Sequence, residues 1–417
     1  MSNTRLRAAF QVLISLMLVL SFSLSIRPQT PQPTPSANGL TFEQIYELAK
    51  RDNLLVNAVR RRRAVAEAGI LIAGQRPNPD FVTSYTRAEP RLQYSVAQLF
   101  ELGGKRGRRI DVARNELRLT ELDVDAALRT LRRDVRAGYF GLALARNNYV
   151  LGQQAVAQAK ELADIARTRF EAGDIAQFEV LQANLGVDRA TNDLDRLENA
   201  ERIARAVLNQ MLNRAPEAPL DQRDSLFIRL APVSTPDLIG QALSQNVELR
   251  TVEQQIKTEE SRLKLARAQR IPDLTLEPGV ETLDSAFTHP GFKMQVSVPL
   301  PIFNRNRGEI QKSSAMLEQL RAERDAARQR ISSEIGRAAL NLETARKQVE
   351  FYETKLLPQA ERLRELAIEA YQVGQTGLLS VIDATRNARE VRQAYLQALF
   401  DYQAALADLE QAAGVKL

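Results

Sequence analysis

The sequence predicts a mainly α-helical chain with a small β part, built from two similar halves. Three observations predict it. Apolar residues recur at steps of three and four along proline-free runs, the mark of long packed helices. Two short stretches instead alternate apolar and polar residues, the mark of strands. The same landmarks then return further along the chain: Pro79-Asp80 in the first half and Pro272-Asp273 in the second stand 193 residues apart.

The first 26 of the 417 residues read as a secretory signal. Arg5 and Arg7 lead into the apolar run Phe10–Leu24, which is too short for a membrane-spanning helix, an uncleaved anchor being the competing reading. Residues 27–39 form a flexible, proline-rich leader.

The first repeat covers 40–212. Thr41-Phe42-Glu43-Gln44 is a capping pattern that opens a helix, and a second helix follows over about Leu54 to Gly74. A hairpin is expected at 81–99, where Leu92, Tyr94 and Val96 alternate with Gln93, Ser95 and Gln98. The stretch 105–170 contains no proline. One seam in it, Leu128, Val135, Leu142, Tyr149, Val156, Ala163 and Phe170, steps by sevens, and a smaller-residue seam runs from Leu131 through Gly138 and Gly152 to Ala166. At 1.5 Å per residue this helix spans roughly 100 Å. The turn Ala172-Gly173-Asp174 precedes a return helix at 177–212, and 213–234 link the halves.

The second repeat, 235–414, matches. Thr235-Pro236 opens it, a helix covers Val247 to Ala268, and a hairpin falls at 274–298, where Phe292, Met294, Val296 and Val298 alternate with Lys293, Gln295 and Ser297. A long helix at 307–371 carries the seams Ile335, Leu342, Val349, Leu356, Leu363, Ala370 and Ile331, Ala338, Ala345, Tyr352, Gln359, Leu366. Pro358 should kink it. A glycine turn at 373–377 leads into a return helix at 378–412, with Val381, Ala384, Ala388, Val391 and Tyr395 in three-four alternation.

Composition closes off several functions. Net charge is +6, falling to near +4 without the signal, which is weak support for an anionic partner. Arg60 to Arg63 read as a solvated helix face, so no nucleic-acid partner is expected. The chain has no cysteine, which excludes disulfides, thiolate metal sites and an acylated N-terminal cysteine. Its one histidine, His289, reads as a turn residue. No metal-ligating, nucleophilic, acid–base or phosphate-loop constellation stands out, so neither a cofactor nor an enzyme activity is expected. After the signal, no stretch approaches 18 apolar residues; a further membrane crossing must use strands. Four strands cannot close a barrel, but several chains can, and closure removes the edges. The alternative is a periplasmic coiled-coil structural or adaptor protein that forms no pore.

Two motifs carry a resemblance over about residues 40–414. One is Tyr371-Gln372-Val373-Gly374-Gln375-Thr376-Gly377-Leu378 through Ala384, with a degenerate copy from Phe170 to Ala183. The other is Phe100-Glu101-Leu102-Gly103-Gly104-Lys105-Arg106, with Leu356 to Gln359 in support. In these the chain resembles the TolC family of outer-membrane efflux proteins, and the junction motif looks CzcC-like, as in heavy-metal efflux. The resemblance implies a homotrimer with a twelve-stranded β-barrel set in outer-membrane lipid and an α-barrel reaching into the periplasm. It implies a passive duct for heavy metals or small molecules. A periplasmic adaptor (membrane fusion protein) would link the duct to an inner-membrane pump of the resistance-nodulation-division type. The adaptor-docking tip would then comprise Gly173, Asp174, Phe178, Gly374, Thr376 and Leu378, the four non-glycine positions being exposed neighbours of the turns. Ser380 and Asp383 match the pair that narrows the pore, where relatives often carry two acids. With one acid left, cation binding at the tip should be weaker. The short hairpins imply a shallow barrel. Lys105, Arg106, Arg108 and Arg109 either meet anionic groups at the membrane surface or are solvated. The second-half tip is expected to dominate gating, and the first-half tip to serve in docking.

Overall fold

The computed structural model describes residues 39–88, 90, 92–226, 235–282 and 290–417. The signal, nearly all of the leader, the end of the linker and His289 lie outside the described residues.

Each half repeats one order of elements. In the first, α1 (Phe42–Asp52) and α2 (Leu54–Gly74) precede β1 (Asp80–Tyr85) and β2 (Leu92–Phe100). The long α3 (Lys105–Glu171) and the return α4 (Gln177–Met211) follow. In the second, α5 (Thr235–Gln245) and α6 (Val247–Ala268) precede β3 (Leu274–Thr282) and β4 (Pro290–Ser297). Then come α7 (Arg307–Phe351), a π-helical segment (Tyr352–Leu356), α8 (Leu357–Gln372) and the return α9 (Leu378–Ala413).

Local chemistry sets the breaks. The Thr41 hydroxyl accepts from Gln44 N–H while the Gln44 side chain accepts from Thr41 N–H, completing the capping box at α1. Between α1 and α2, Asn53 caps the second helix through Leu55 and Val56 N–H and donates from Nδ2 to the Met211 carbonyl at 3.0 Å. Asn246 does the same between α5 and α6, accepting from Glu248 and Leu249 and donating to the Ala412 carbonyl at 2.9 Å. In each half one asparagine fastens the helix break to the end of the return helix.

The main core lies where α3, α7 and α9 pass α1 and α5. Val135, Leu142, Ile331, Ile335, Val349 and Leu406 pack there. Phe42 meets the rings of Tyr139 and Phe140, and the guanidinium groups of Arg132 and Arg136 lie over its face. Tyr139 is fully enclosed; its hydroxyl donates to the Leu40 carbonyl at 2.9 Å, and burial pushes its pKa up to about 12. The described part of the linker is not loose. Leu220 and Leu226 are buried, Gln222 bridges to Leu40, and Gln403 donates to the Leu226 carbonyl at 2.8 Å.

Pro358 is accommodated differently from a bare kink. The five π-helical residues precede it, so the carbonyls that a proline cannot satisfy are re-spaced over a wider turn. This turn inserts one extra position and shifts the buried stripe. Before it, Ile335, Ala338, Leu342, Ala345 and Val349 are buried as the heptads require. Beyond it, Leu363 and Leu366, expected in the seams, are exposed, and Ala360 and Tyr371 are buried instead. The first long helix has a milder departure: its seam fades toward the turn, where Phe170 is exposed.

An ionic cluster closes the main core. Arg132 and Lys416 both pair with Glu43, at 2.7 and 2.8 Å. The hydrogen bond from Arg132, reinforced by Lys416, lowers the Glu43 pKa from 4.5 to about 2. A carboxylate held down in this way stabilises the fold above its unfolded pKa, and that contribution disappears as pH falls from about 4.5 toward 2. The side chain is 45% exposed, so solvent keeps the effect small. Glu43→Gln should therefore lower thermal stability slightly at neutral pH and converge on the wild type near pH 2 to 3. Parallel acid melts followed by circular dichroism check this; curves that stay parallel to low pH would refute it.

Candidate functional site: a two-faced sheet, its junctions and a paired helical tip

The two hairpins form one antiparallel sheet in the order β1-β2-β3-β4. Its register sorts the residues by chemistry. Phe81, Tyr85, Tyr94, Val96, Phe100, Leu274, Leu276, Val280, Phe292, Met294 and Val296 share one face, because Phe81 pairs with Val96, Tyr94 with Val280, Val280 with Phe292 and Leu276 with Val296. Ser84, Gln93, Ser95, Glu277, Lys293 and Gln295 share the other. There Ser95 donates to Glu277 at 2.7 Å, Lys293 donates to Gln93 at 3.1 Å, and Lys293 lies 3.7 Å from Glu277. The apolar face has no covering layer in the protomer, and Phe81, Phe292 and Met294 are largely exposed. Among the described residues no helix is long and apolar enough to cross a membrane. An oily face backed by a polar one suits strands between hydrocarbon and an aqueous lumen. Nine residues rise about 30 Å before tilt, and β1 has only six, in keeping with a shallow barrel.

Where the strands become helices, the chain needs a left-handed residue. Gly104 supplies it before α3 at φ 71° and Asn306 before α7 at φ 52°. Asparagine tolerates that conformation better than most side chains. It also donates to the Ala266 carbonyl at 2.8 Å. Gly103 is required twice over: its φ is +70°, and a Cβ there would stand 2.7 Å from the Ile271 side chain. The basic run after it is mostly consumed by the fold. Lys105 pairs with Asp273 at 2.7 Å, Arg106 donates to the Gly74 carbonyl at 2.6 Å, and Arg109 forms a two-pronged pair with Glu101. Arg108 alone of the four is left to solvent, 3.8 Å from Asp111.

The two helical turns are built alike. Gly173 has φ +85°, its N–H donates to the Phe170 carbonyl at 2.9 Å, and Asp174 N–H donates to Arg169. Gly374 has φ +74°, with matching bonds from its N–H to Tyr371 at 3.0 Å and from Gln375 N–H to Ala370 at 2.8 Å. A small core joins the two turns: Ala163, Ala166 and Ala183 from the first half, Tyr371, Leu378 and Val381 from the second. Arg169 fastens it, its guanidinium 4.8 Å from the Tyr371 ring centre and its Nη1 donating to the Tyr371 carbonyl at 3.0 Å.

Asp174, Phe178, Gly173 and Gly374 are exposed, and Thr376 is half-buried. Leu378 is corrected. It is 1% exposed and packs inside the tip core, whereas Leu379 is 56% exposed. The reason is helical phase: the buried row Val381, Ala384, Ala388 extends back by three to Leu378. Ser380 and Asp383 both face solvent, and Asp383 lies 3.4 Å from Arg386. Arg386, Asn306 and the Lys105–Asp273 pair were not singled out from the sequence. Asn306 had a signal, since it stands 202 residues after Gly104.

Comparison with known proteins gives the same architecture. The family described as outer membrane efflux protein matches residues 45–214 and again 238–415. The chain is 25% identical to the cobalt-zinc-cadmium resistance protein CzcC of Cupriavidus metallidurans, over 89% of this chain and 90% of that one. It is 25% identical to the nickel-cobalt-cadmium resistance protein NccC of Alcaligenes xylosoxydans xylosoxydans, over 79% and 76%. Among solved structures it is similar to the outer membrane channel CmeC of Campylobacter jejuni, with TM-score 0.76, 17% identity, and coverage of 94% and 90%.

Proposed function

The chain belongs to the outer membrane efflux protein family and is an outer-membrane export duct rather than an enzyme, and from that premise we propose that three copies close one twelve-stranded barrel and carry metal cations outward. The observation that carries the duct reading is the sheet with one oily and one polar face, running directly into helices long enough to cross a wide aqueous space. Four strands per chain leave edges at β1 and β4, and unpaired edges in hydrocarbon cost several kcal/mol per amide. Three chains satisfy them. The turns at Gly173 and Gly374 are the surfaces a periplasmic adaptor would meet, with Phe178 and Asp174 exposed beside the first. An inner-membrane pump of the resistance-nodulation-division type would supply the energy, since the duct has no chemistry of its own. The metal cargo is supported by the two relatives, which are cobalt-zinc-cadmium and nickel-cobalt-cadmium resistance proteins.

Two measurements test this. Met294→Arg puts a cation on the oily face; near the midplane that costs about 2–4 kcal/mol per copy. The variant should be depleted from outer membranes while Lys293→Arg, on the polar face, inserts normally. Equal insertion of both variants would remove the lipid-facing assignment. At the tip, three copies of Asp383 would make a ring of like charge. Asp383→Asn should abolish block by divalent cations in single-channel recordings, leaving the open conductance intact. Unchanged block would show that the constriction lies elsewhere.

A further inference from the structure

Two fixed offsets relate the halves. Pro79-Asp80 and β1 correspond to Pro272-Asp273 and β3 at 193 residues. The second strand and the start of the long helix correspond at 202: Ser95 faces Val82 as Ser297 faces Thr275, and Asn306 caps α7 with the left-handed backbone that Gly104 gives α3. Arg307 therefore stands in the second half where Lys105 stands in the first, and Asp80 stands where Asp273 does.

Within the chain the first-half helix start grips the second half. Lys105 Nζ donates to Asp273 Oδ1 at 2.7 Å, and the same oxygen accepts from Leu102 N–H at 3.0 Å. This happens beside the β2–β3 pairing, which joins the two hairpins. The counterparts, Arg307 and Asp80, sit at the opposite margins of the sheet, beyond β4 and at the start of β1. Both are exposed, and among the described residues neither has an ion-pair partner. The neighbouring helices show the same imbalance. On α6, which packs on α3, Gln254, Thr258 and Ser261 are buried. Their counterparts on α2, Arg61, Val65 and Ala68, are exposed, Val65 at 74%. The β1–α2 margin thus repeats the surface by which β3 and α6 receive β2 and α3, but nothing in the protomer receives it.

We propose that Arg307 of one protomer pairs with Asp80 of the partner subunit, where β4 meets the partner's β1 edge, as Lys105 pairs with Asp273 within one chain. The occupant is a second copy because two margins among the described residues carry the matching strand, helix start and cation, and the β2–α3 margin is already engaged with β3 and Asp273, which leaves β4–α7. Arginine in place of lysine suits a solvent-facing joint, since its planar fork can hold both carboxylate oxygens. The inference rests on the oligomeric assembly proposed above, and adds the side-chain pair that fixes its register.

The absence of cysteine makes a clean test. The full chain carrying Asp80→Cys with Arg307→Cys, extracted from outer membranes in detergent, is treated with a short flexible bis-maleimide. Linked dimers and trimers should form in the double variant and in neither single variant. Independently, Asp80→Arg and Arg307→Asp should each lower the temperature at which the oligomer dissociates, and their combination should recover most of the loss. The pair is wrong if native mass spectrometry finds an intact oligomer that does not link, or if the combined reversal is no better than the sum of its parts. A wild-type chain that is monomeric by the same measurement instead overturns the assembly reading, and this inference with it.

Discussion

Glu410→Ala is expected to be strongly destabilising to the main core, at about 3–5 kcal/mol. Glu410 is buried, with Arg136 Nη1 at 2.6 Å and Arg132 Nε at 3.6 Å. It also accepts from Leu417 N–H at 3.0 Å, which ties down the C-terminus. Deleting the carboxylate leaves the buried Arg136 guanidinium without its anion, and Arg132 with only Glu43. The Phe42 ring beneath both guanidiniums offsets a fraction of this, of the order of 1–2 kcal/mol. Glu410→Gln keeps the size and an acceptor and should cost less. Removing the pair together, as Arg136→Met with Glu410→Met, should cost less than Glu410→Ala, because no charge is then stranded. Unfolding rates of the detergent-extracted protein, followed by loss of helical circular dichroism, give the order. If the double methionine variant unfolds as fast as Glu410→Ala, or if Glu410→Ala unfolds no faster than the wild type, a stranded charge is not what the substitution costs.

The parts of the fold that were legible in the sequence are those governed by local periodicity. The sevens through Val135 and Leu142 point inward, the alternation in 292–298 marks the two faces of β4, and Thr41 with Gln44 forms the cap their spacing implies. What escaped depends on partners far along the chain or on phase. Arg136 and Glu410 are 274 residues apart, and nothing near either one announces a buried pair. The shift of the buried stripe past Pro358 needs the extra residue of the π turn, which periodicity read as unbroken sevens cannot supply. This is why Leu363 and Leu366 were placed inside and lie outside.

The tip was legible in outline for a similar reason. A glycine between two long helices implies a left-handed turn, and both Gly173 and Gly374 have one. The exposure of each neighbour was not implied, because it depends on where the return helix starts its phase. Leu378 and Leu379 are chemically identical; only the row continuing through Val381 decides that Leu378 enters the core. The clamp of Arg169 on Tyr371 joins one half to the other, and such a contact is invisible to a reading that treats the halves separately. It also bears on the expected division of labour. Since one core holds both turns, docking at the first and gating at the second would be mechanically coupled.

Gly374→Val is therefore expected to abolish export while leaving the assembled barrel intact. The added Cβ meets nothing closer than the Arg169 side chain at 3.8 Å, so the effect is not a clash. It is backbone strain: at φ +74° a β-branched residue is a strong outlier, with a penalty of about 1–3 kcal/mol. The turn relieves this by leaving the left-handed region, which breaks the bonds from Gly374 and Gln375 to the end of α8. Leu378, the first residue of α9, then withdraws from Ala163 and Ala166, and the Arg169 clamp loses its seat on Tyr371. The sheet and the main core, far along the helices, have no reason to respond. Gly374→Asn discriminates the mechanism, because asparagine tolerates the left-handed region; it should retain most of the activity although it is larger than glycine. Metal tolerance of cells expressing each variant, beside the oligomer recovered from their membranes, measures both halves of the claim. Full tolerance with Gly374→Val, or equal loss with Gly374→Asn, would show that the shape of this turn does not control the tip.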